Sequence, residues 1–322
     1  MTTYDENNNR TSQTDANGHT TFMEYDELNR LTKRIYPNGD EERFGFDANG
    51  NMTYRVSGLD STAFTYDNRN RETYRWYSNS GHTVETKYTA DSKRDTVIDH
   101  RGITDYDYNT DGRLEVVTNP DNTFIQYAYD SNGNKTEMTT PWGTTQYSFD
   151  QLNRMKTVTS HDNEVTEYFY NAVGNRDSIN HANGTSVGYE YDNLNRLTEV
   201  RNFAPDASVI SSFTYELNNA GIRTAVTEAD GSRVDYSYDD CYKLIGETRT
   251  GSNAYSIAYT YDNVGNRLTK DHDGVVTTYA YNNRDQVTSE TNVNETITYT
   301  YDASGRTETK TDNSGVTTYG WA

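Results

Sequence analysis

Two kinds of side chain in this 322-residue chain could do chemistry, and both recur at intervals. Asp5, Asp26, Asp47, Asp67, Asp130, Asp150, Asp192, Asp239, Asp262 and Asp302 each follow an aromatic residue. Two carboxylates some 5–9 Å apart can act as general acid and general base. The histidines are His19, His82, His100, His161, His181 and His272, and imidazoles at ligand spacing hold metals. Neither possibility survives the spacing. The aspartates recur once per pair of strands, so successive ones should stand about 10 Å apart, too far for an acid/base pair. The histidines form no His-Glu-x-x-His set, and each falls in a turn facing water, with His82 and His100, and His161 and His181, as prospective neighbours. Asp47-Ala48-Asn49-Gly50 lacks the alternating acids and terminal Glu of a calcium loop. No Gly-x-Ser-x-Gly elbow or phosphate-cradling loop is found. No catalytic residue, cofactor or metal site is therefore expected.

The elements that position these groups follow from a period. The anchor aromatics are Tyr4, Tyr25, Phe46, Tyr66, Tyr88, Tyr108, Tyr129, Phe149, Tyr170, Tyr191, Tyr215, Tyr238, Tyr261, Tyr281, Tyr301 and Trp321. Subtracting successive positions gives steps of 20 to 24 residues, the range of stacked repeats. Most anchors have another aromatic two residues earlier, as in Tyr127/Tyr129, Tyr189/Tyr191, Tyr259/Tyr261 and Tyr299/Tyr301. Spacing of two puts both rings on one face of a strand and splays them on a helix. An apolar residue follows about six positions after the anchor (Leu31, Met52, Leu114, Met155, Leu197, Leu268, Val287), as on a returning strand. Between them lies turn chemistry. The Asp accepts backbone N–H groups ahead of it, and Gly133, Gly265 or Gly305 takes positive φ. A second turn, such as Pro37-Asn38-Gly39-Asp40, closes each unit. The stretches Arg201–Ser208 and Asn218–Arg223 are expected to lengthen two turns and protrude.

Composition agrees with a polar repeat protein. The hydrophobic share is 32%, mean hydropathy is −1.03 and net charge is −20, which alone would suggest disorder. Yet 29 tyrosines sit in register, and Thr between them suits a half-exposed strand. The acidic balance argues against nucleic acid or an anionic membrane as partner. No stretch is apolar enough to span a bilayer, and no signal peptide opens the chain. The lone Cys241 cannot form an internal disulfide.

The clearest copies of the repeat are Tyr25-Asp26-Glu27-Leu28-Asn29-Arg30, Tyr129-Asp130-Ser131-Asn132-Gly133-Asn134, Tyr191-Asp192-Asn193-Leu194-Asn195-Arg196, Tyr261-Asp262-Asn263-Val264-Gly265-Asn266 and Tyr301-Asp302-Ala303-Ser304-Gly305-Arg306. They resemble the YD repeats of the Rhs family, which includes Rhs polymorphic toxins, the B and C components of Tc toxins, WapA-type proteins and teneurins. The resemblance implies a sheet that spirals into a hollow shell around a C-terminal toxic polypeptide in bacterial members, and an extracellular recognition surface in teneurins. No Asp-Pro-x-Gly-type segment of the family's self-cleaving core is present here.

The expected fold is all-β: tandem YD-repeat hairpins in one long antiparallel sheet that curls or spirals as a shell wall segment or tube. Residues 1–322 read as a single array of about fifteen units, a piece of a longer array. The expected role is a non-enzymatic, secreted or cell-surface wall that encapsulates or presents a C-terminal polypeptide. Its expected partners are the remaining repeats or core of the parent protein and an enclosed toxin. The alternatives are a module that binds glycan or protein, and a fibre that self-associates through strand edges.

Overall fold

The structure is a computed structural model that describes residues 1–321. It is all-β: thirty-one strands, from Thr2–Tyr4 to Gly315–Thr318, form one antiparallel sheet, with no helix among the described residues. Strands pair with their chain neighbours. Thr20–Tyr25 pairs with Leu31–Ile35, which pairs with Glu41–Phe46, which pairs with Met52–Ser57. The chain divides into two compact units. One holds Met1–Ser92, Val97–Gly102 and the segment from Ile257 onward; the other holds Lys93–Thr96 and Ile103–Ser256.

Most anchor rings sit just past a register shift. The ladder slips between Glu24 and Tyr25, Ala128 and Tyr129, Glu190 and Tyr191, Thr260 and Tyr261, and Thr300 and Tyr301. Such a bulge bends the strand and adds right-handed twist. The same shift recurs in hairpin after hairpin. Tyr25 opposes Leu31, Phe46 opposes Met52, Tyr191 opposes Leu197 and Tyr281 opposes Val287. Leu268 is different: Arg267 opposes Tyr261, and Leu268, one place further on, is exposed.

Two irregular stretches correct the sequence expectation. The expected anchor Tyr215 is the inner ring of its pair, and Leu217 holds the anchor place, opposite Arg223. Asn218 then makes an ordinary turn, with its N–H to the Ile222 carbonyl (2.9 Å) and the Gly221 N–H to its own carbonyl (2.9 Å). The stretch Arg201–Ser208 does not enlarge a loop either. Ala204–Ser208 closes as the other second turns do, and the added residues join the ladder as the strands Leu197–Phe203 and Val209–Leu217. Extra backbone is better satisfied by a ladder partner than by a loop.

Little is deeply buried. Among the described residues, Met23, Ile179, Ala225, Val226, Val234 and Ile257 are the buried apolar side chains. Val226 and Val234 face each other across a rung of the second unit. Along Thr20–Tyr25, Met23 and Tyr25 lie on the more sheltered face, while Phe22 and Glu24 are exposed. The same face of the first unit buries Glu42, only 4% exposed. Its carboxylate accepts from Arg34 (3.0 Å), Arg55 (2.5 Å) and the Tyr36 hydroxyl (2.9 Å). Burial pushes this carboxyl up, but the Arg55 and Tyr36 hydrogen bonds and both positive charges outweigh it and hold it below the usual range. Replacing Glu42 by Ala leaves three donors without their acceptor. Urea unfolding should show a loss of about 1.5–3 kcal/mol, the range for a hydrogen-bonded charged group. A Glu42→Ala variant as stable as the parent would mean that the cluster is dispensable.

Candidate functional site

The repeated aspartate is the centre from which each repeat unit is built. Asp26 uses its two oxygens differently. Oδ1 accepts the backbone N–H groups of Leu28 and Arg30, both at 3.0 Å, which folds the loop around the carboxylate. Asn29 takes φ of 60°, a left-handed conformation that Asn tolerates. Oδ2 receives Arg30 Nε at 2.8 Å and Nη2 at 2.7 Å. Asp192 and Asp302 are held the same way by Arg196 and Arg306. Where the sixth residue is Asn, its amide replaces the guanidinium: Asn134 donates to Asp130 Oδ2, and Asn266 to Asp262 Oδ2, both at 2.9 Å.

That sixth residue also reaches the following repeat. Arg30 Nη1 donates to the Asp47 carbonyl (2.8 Å), and its guanidinium lies 4.8 Å from the Phe46 ring centroid. Arg113 donates to the Asp130 carbonyl (2.8 Å) and Arg196 to the Asn218 carbonyl (2.9 Å). Asn134 donates to Asn153 Oδ1 at 2.8 Å. The anchor ring reaches the other way. The hydroxyls of Tyr25, Tyr129 and Tyr301 donate to the carbonyls of Arg10, Leu114 and Val287 at 3.0, 2.8 and 2.7 Å. The inner rings are capped by cations: Lys135 lies over Tyr127 (4.2 Å) and Arg267 over Tyr259 (5.8 Å). Burial raises the phenols of Tyr129, Tyr191 and Tyr301. Burial, together with a hydrogen bond to Glu290, pushes Tyr299 up to about 12. Tyr189 and Tyr261 occupy the matching inner and anchor places of their hairpins. Gly133, Gly265 and Gly305 take positive φ where Asn29 stands in the first copy.

The first unit brings together residues far apart in sequence. Asn17 donates to Asp262 (2.8 Å), across 245 residues. Arg284 donates to Asp40 (2.8 Å), across 244, and lies 4.0 Å over the Tyr36 ring. Ser304 donates to the Ser57 carbonyl (2.6 Å), across 247, and Arg306 pairs with Asp60 as well as Asp302. Three second turns from the chain's beginning thus meet two aspartate turns, at Asp262 and Asp302, and the Asn282 turn between them. Gly58, at φ of 61°, is a point of closest approach: a Cβ there would stand 2.7 Å from the Ala303 backbone. No sequence signal marks these partners, because they stand 244–247 residues apart.

The histidines divide. His82 and His100 stack with centroids 4.1 Å apart and planes 6° from parallel. His161 lies 3.2 Å from its neighbour Asp162. His19 lies in the seam between start and end, where Asp15, His19 and Asp285 place ligand atoms within 4.8 Å of one another. The sequence reading missed this group because Asp285 is distant in the chain.

The chain matches the RHS Repeat family over residues 4–42 and 108–145, and the Teneurin YD-shell family over 182–319. Among curated proteins no match is found. Among solved structures it resembles a TcdB2-TccC3 crystal structure (TM-score 0.62, 15% identity), covering 97% of this chain and 20% of that one. It also resembles the Tc holotoxin pore of Photorhabdus luminescens (TM-score 0.57, 15% identity), over 96% of this chain and 23% of that one. TcdB2-TccC3 without its hypervariable C-terminal region matches at TM-score 0.58 and 16% identity, over 97% and 19%. At this identity the likeness is one of fold, and the chain spans about a fifth of those lengths.

The aspartate turns make stability acid-sensitive. Side-chain hydrogen bonds from Arg30, Arg154 and Asn134 hold Asp26, Asp150 and Asp130, respectively, below the ordinary carboxylate value. Burial acts upward on both Asp262 and Asp302, but hydrogen bonds from Asn17 and Asn266 prevail at Asp262 and those from Arg306 prevail at Asp302. Carboxyls depressed by folding stabilise the fold above the unfolded-chain value of about 4, and that contribution fades as pH falls further. The melting temperature should hold from pH 7 to 5 and fall steadily below about pH 4. A melting temperature level down to pH 2 would contradict this role.

Proposed function

The chain belongs to the RHS/YD-repeat family, and on that premise we propose that it is a non-enzymatic wall segment of a secreted or surface-exposed shell. It works as part of a longer array whose wall encloses or presents a C-terminal polypeptide. The observation that carries this reading is the seam of the first unit. Turns 244–247 residues apart hold one another by hydrogen bonds and ion pairs, so the strip returns to itself. A wall that surrounds a compartment needs this property, and a flat adhesive sheet does not. The anchors Tyr25, Asp26, Tyr129, Asp130, Tyr191, Asp192, Tyr261, Asp262, Tyr301 and Asp302 are, on this reading, fastenings between units. The partners of the segment are the other repeats of its parent protein and the enclosed chain.

The glycan-binding reading is weaker on one count. Stacking on a sugar needs an open ring face, and Tyr88, Tyr127, Tyr168, Tyr170 and Tyr215 carry an Arg or Lys over theirs. No helix among the described residues is long and apolar enough to cross a membrane.

The test is protection. A flexible polypeptide rich in trypsin sites, fused after residue 322, should be cut more slowly than the same polypeptide fused to an unrelated globular carrier. Equal cutting rates would remove the enclosing role. Continuous filaments in electron micrographs of the unfused chain would favour self-assembly through strand edges instead.

A further inference from the structure

The seam holds one group that the wall itself does not use. Asp15 opens a second turn. Its Oδ1 accepts the N–H groups of Asn17 (2.9 Å) and His19 (2.8 Å), which turns its other oxygen toward the His19 ring. That oxygen stands 3.6 Å from His19 Nδ1, beyond a hydrogen bond. The nitrogen is sealed from solvent and has no hydrogen-bond partner. Asp285 comes in from the other side of the seam. Asn266 donates to its Oδ1 at 2.8 Å and so orients the carboxylate. Among the described residues, neither Asp15 nor Asp285 has a Lys or Arg at ion-pair distance.

We propose that Asp15, His19 and Asp285 bind a first-row divalent cation of the zinc type, which clips the beginning of the strip to its end. Several observations converge on a metal. Two carboxylates brought together without a cation repel. A shielded imidazole nitrogen without a partner is costly unless something binds it. Two donors bound at about 2.1 Å in a tetrahedral shell stand about 3.4 Å apart, close to the 3.6 Å between Nδ1 and Oδ2. Imidazole with carboxylate favours zinc-like ions over calcium or magnesium. The outer partners are also in place, since backbone N–H groups fix Asp15 and Asn266 fixes Asp285. Position 285 is itself unusual. The corresponding left-handed place is Asn29, Asn70, Asn153 and Asn195 in other turns, and Asp285 adopts φ of 58° there. A carboxylate at that place adds charge where the turn needs none. This inference departs from the expectation that no metal is bound. It rests on the seam alone and does not depend on whether the shell encloses a cargo.

Calorimetric titration of zinc chloride into the metal-stripped full chain tests it. The expected result is one dominant site, with a melting temperature that rises on zinc addition and does not rise on magnesium addition. Asp285→Asn places in this turn the residue that its sister turns already carry, so it should fold as the parent does. Both Asp285→Asn and His19→Ala should bind zinc more than about tenfold more weakly, the scale of loss seen even for outer-shell changes. His181→Asn, outside the group, should bind as the parent does. A parent chain that takes up no zinc, or an Asp285→Asn variant that binds with unchanged affinity, overturns the proposal.

Discussion

The sheet depends on a carboxylate whose two oxygens do different jobs. One folds its own loop by accepting two backbone N–H groups, and the other holds the Arg or Asn that reaches the following unit. Local folding and unit-to-unit attachment therefore share one side chain. An exposed ion pair taken singly is worth little. Here the same pair is joined to a cation–ring contact and a carbonyl, and it recurs along the chain, so the guanidinium is held in one geometry by several partners. The anchor tyrosine completes the linkage in the other direction.

This arrangement explains how so polar a chain folds. A sheet with few buried apolar side chains cannot rely on a core in the way a globular domain does. Its stabilisation is spread as half-buried rings, Thr–Thr contacts across rungs and hydrogen-bonded turns, each repeated unit supporting its neighbours. Buried charge is admitted only where it is fully answered, as at Glu42.

The repeat unit was legible because its signals are local. Tyr-x-Tyr spacing, Asp before Gly or Asn, and Thr-rich returns each follow from backbone geometry within a few residues. What stayed hidden had two causes. At Leu217 an aliphatic residue holds a place read as aromatic, and only the ladder shows that Asn218 begins the turn. The seam was hidden for a different reason: its partners stand some 245 residues apart, and Asn17 carries no mark of Asp262 in its own surroundings. The group around Asp285 was missed with it, since a motif search follows sequence distance and this group does not.

The seam also constrains how such a chain can change length over evolutionary time. Each contact joins a second turn to an anchor turn, at nearly constant separations of 244, 245 and 247 residues. Gain or loss of one complete hairpin pair by unequal recombination presents each contact with a near-identical substitute. Gain of a fraction brings a strand face opposite a turn and leaves every later fastening out of phase. A sheet of this design can therefore gain or lose whole modules and keep its seam, whereas insertions of intermediate size break it wherever the chain meets itself.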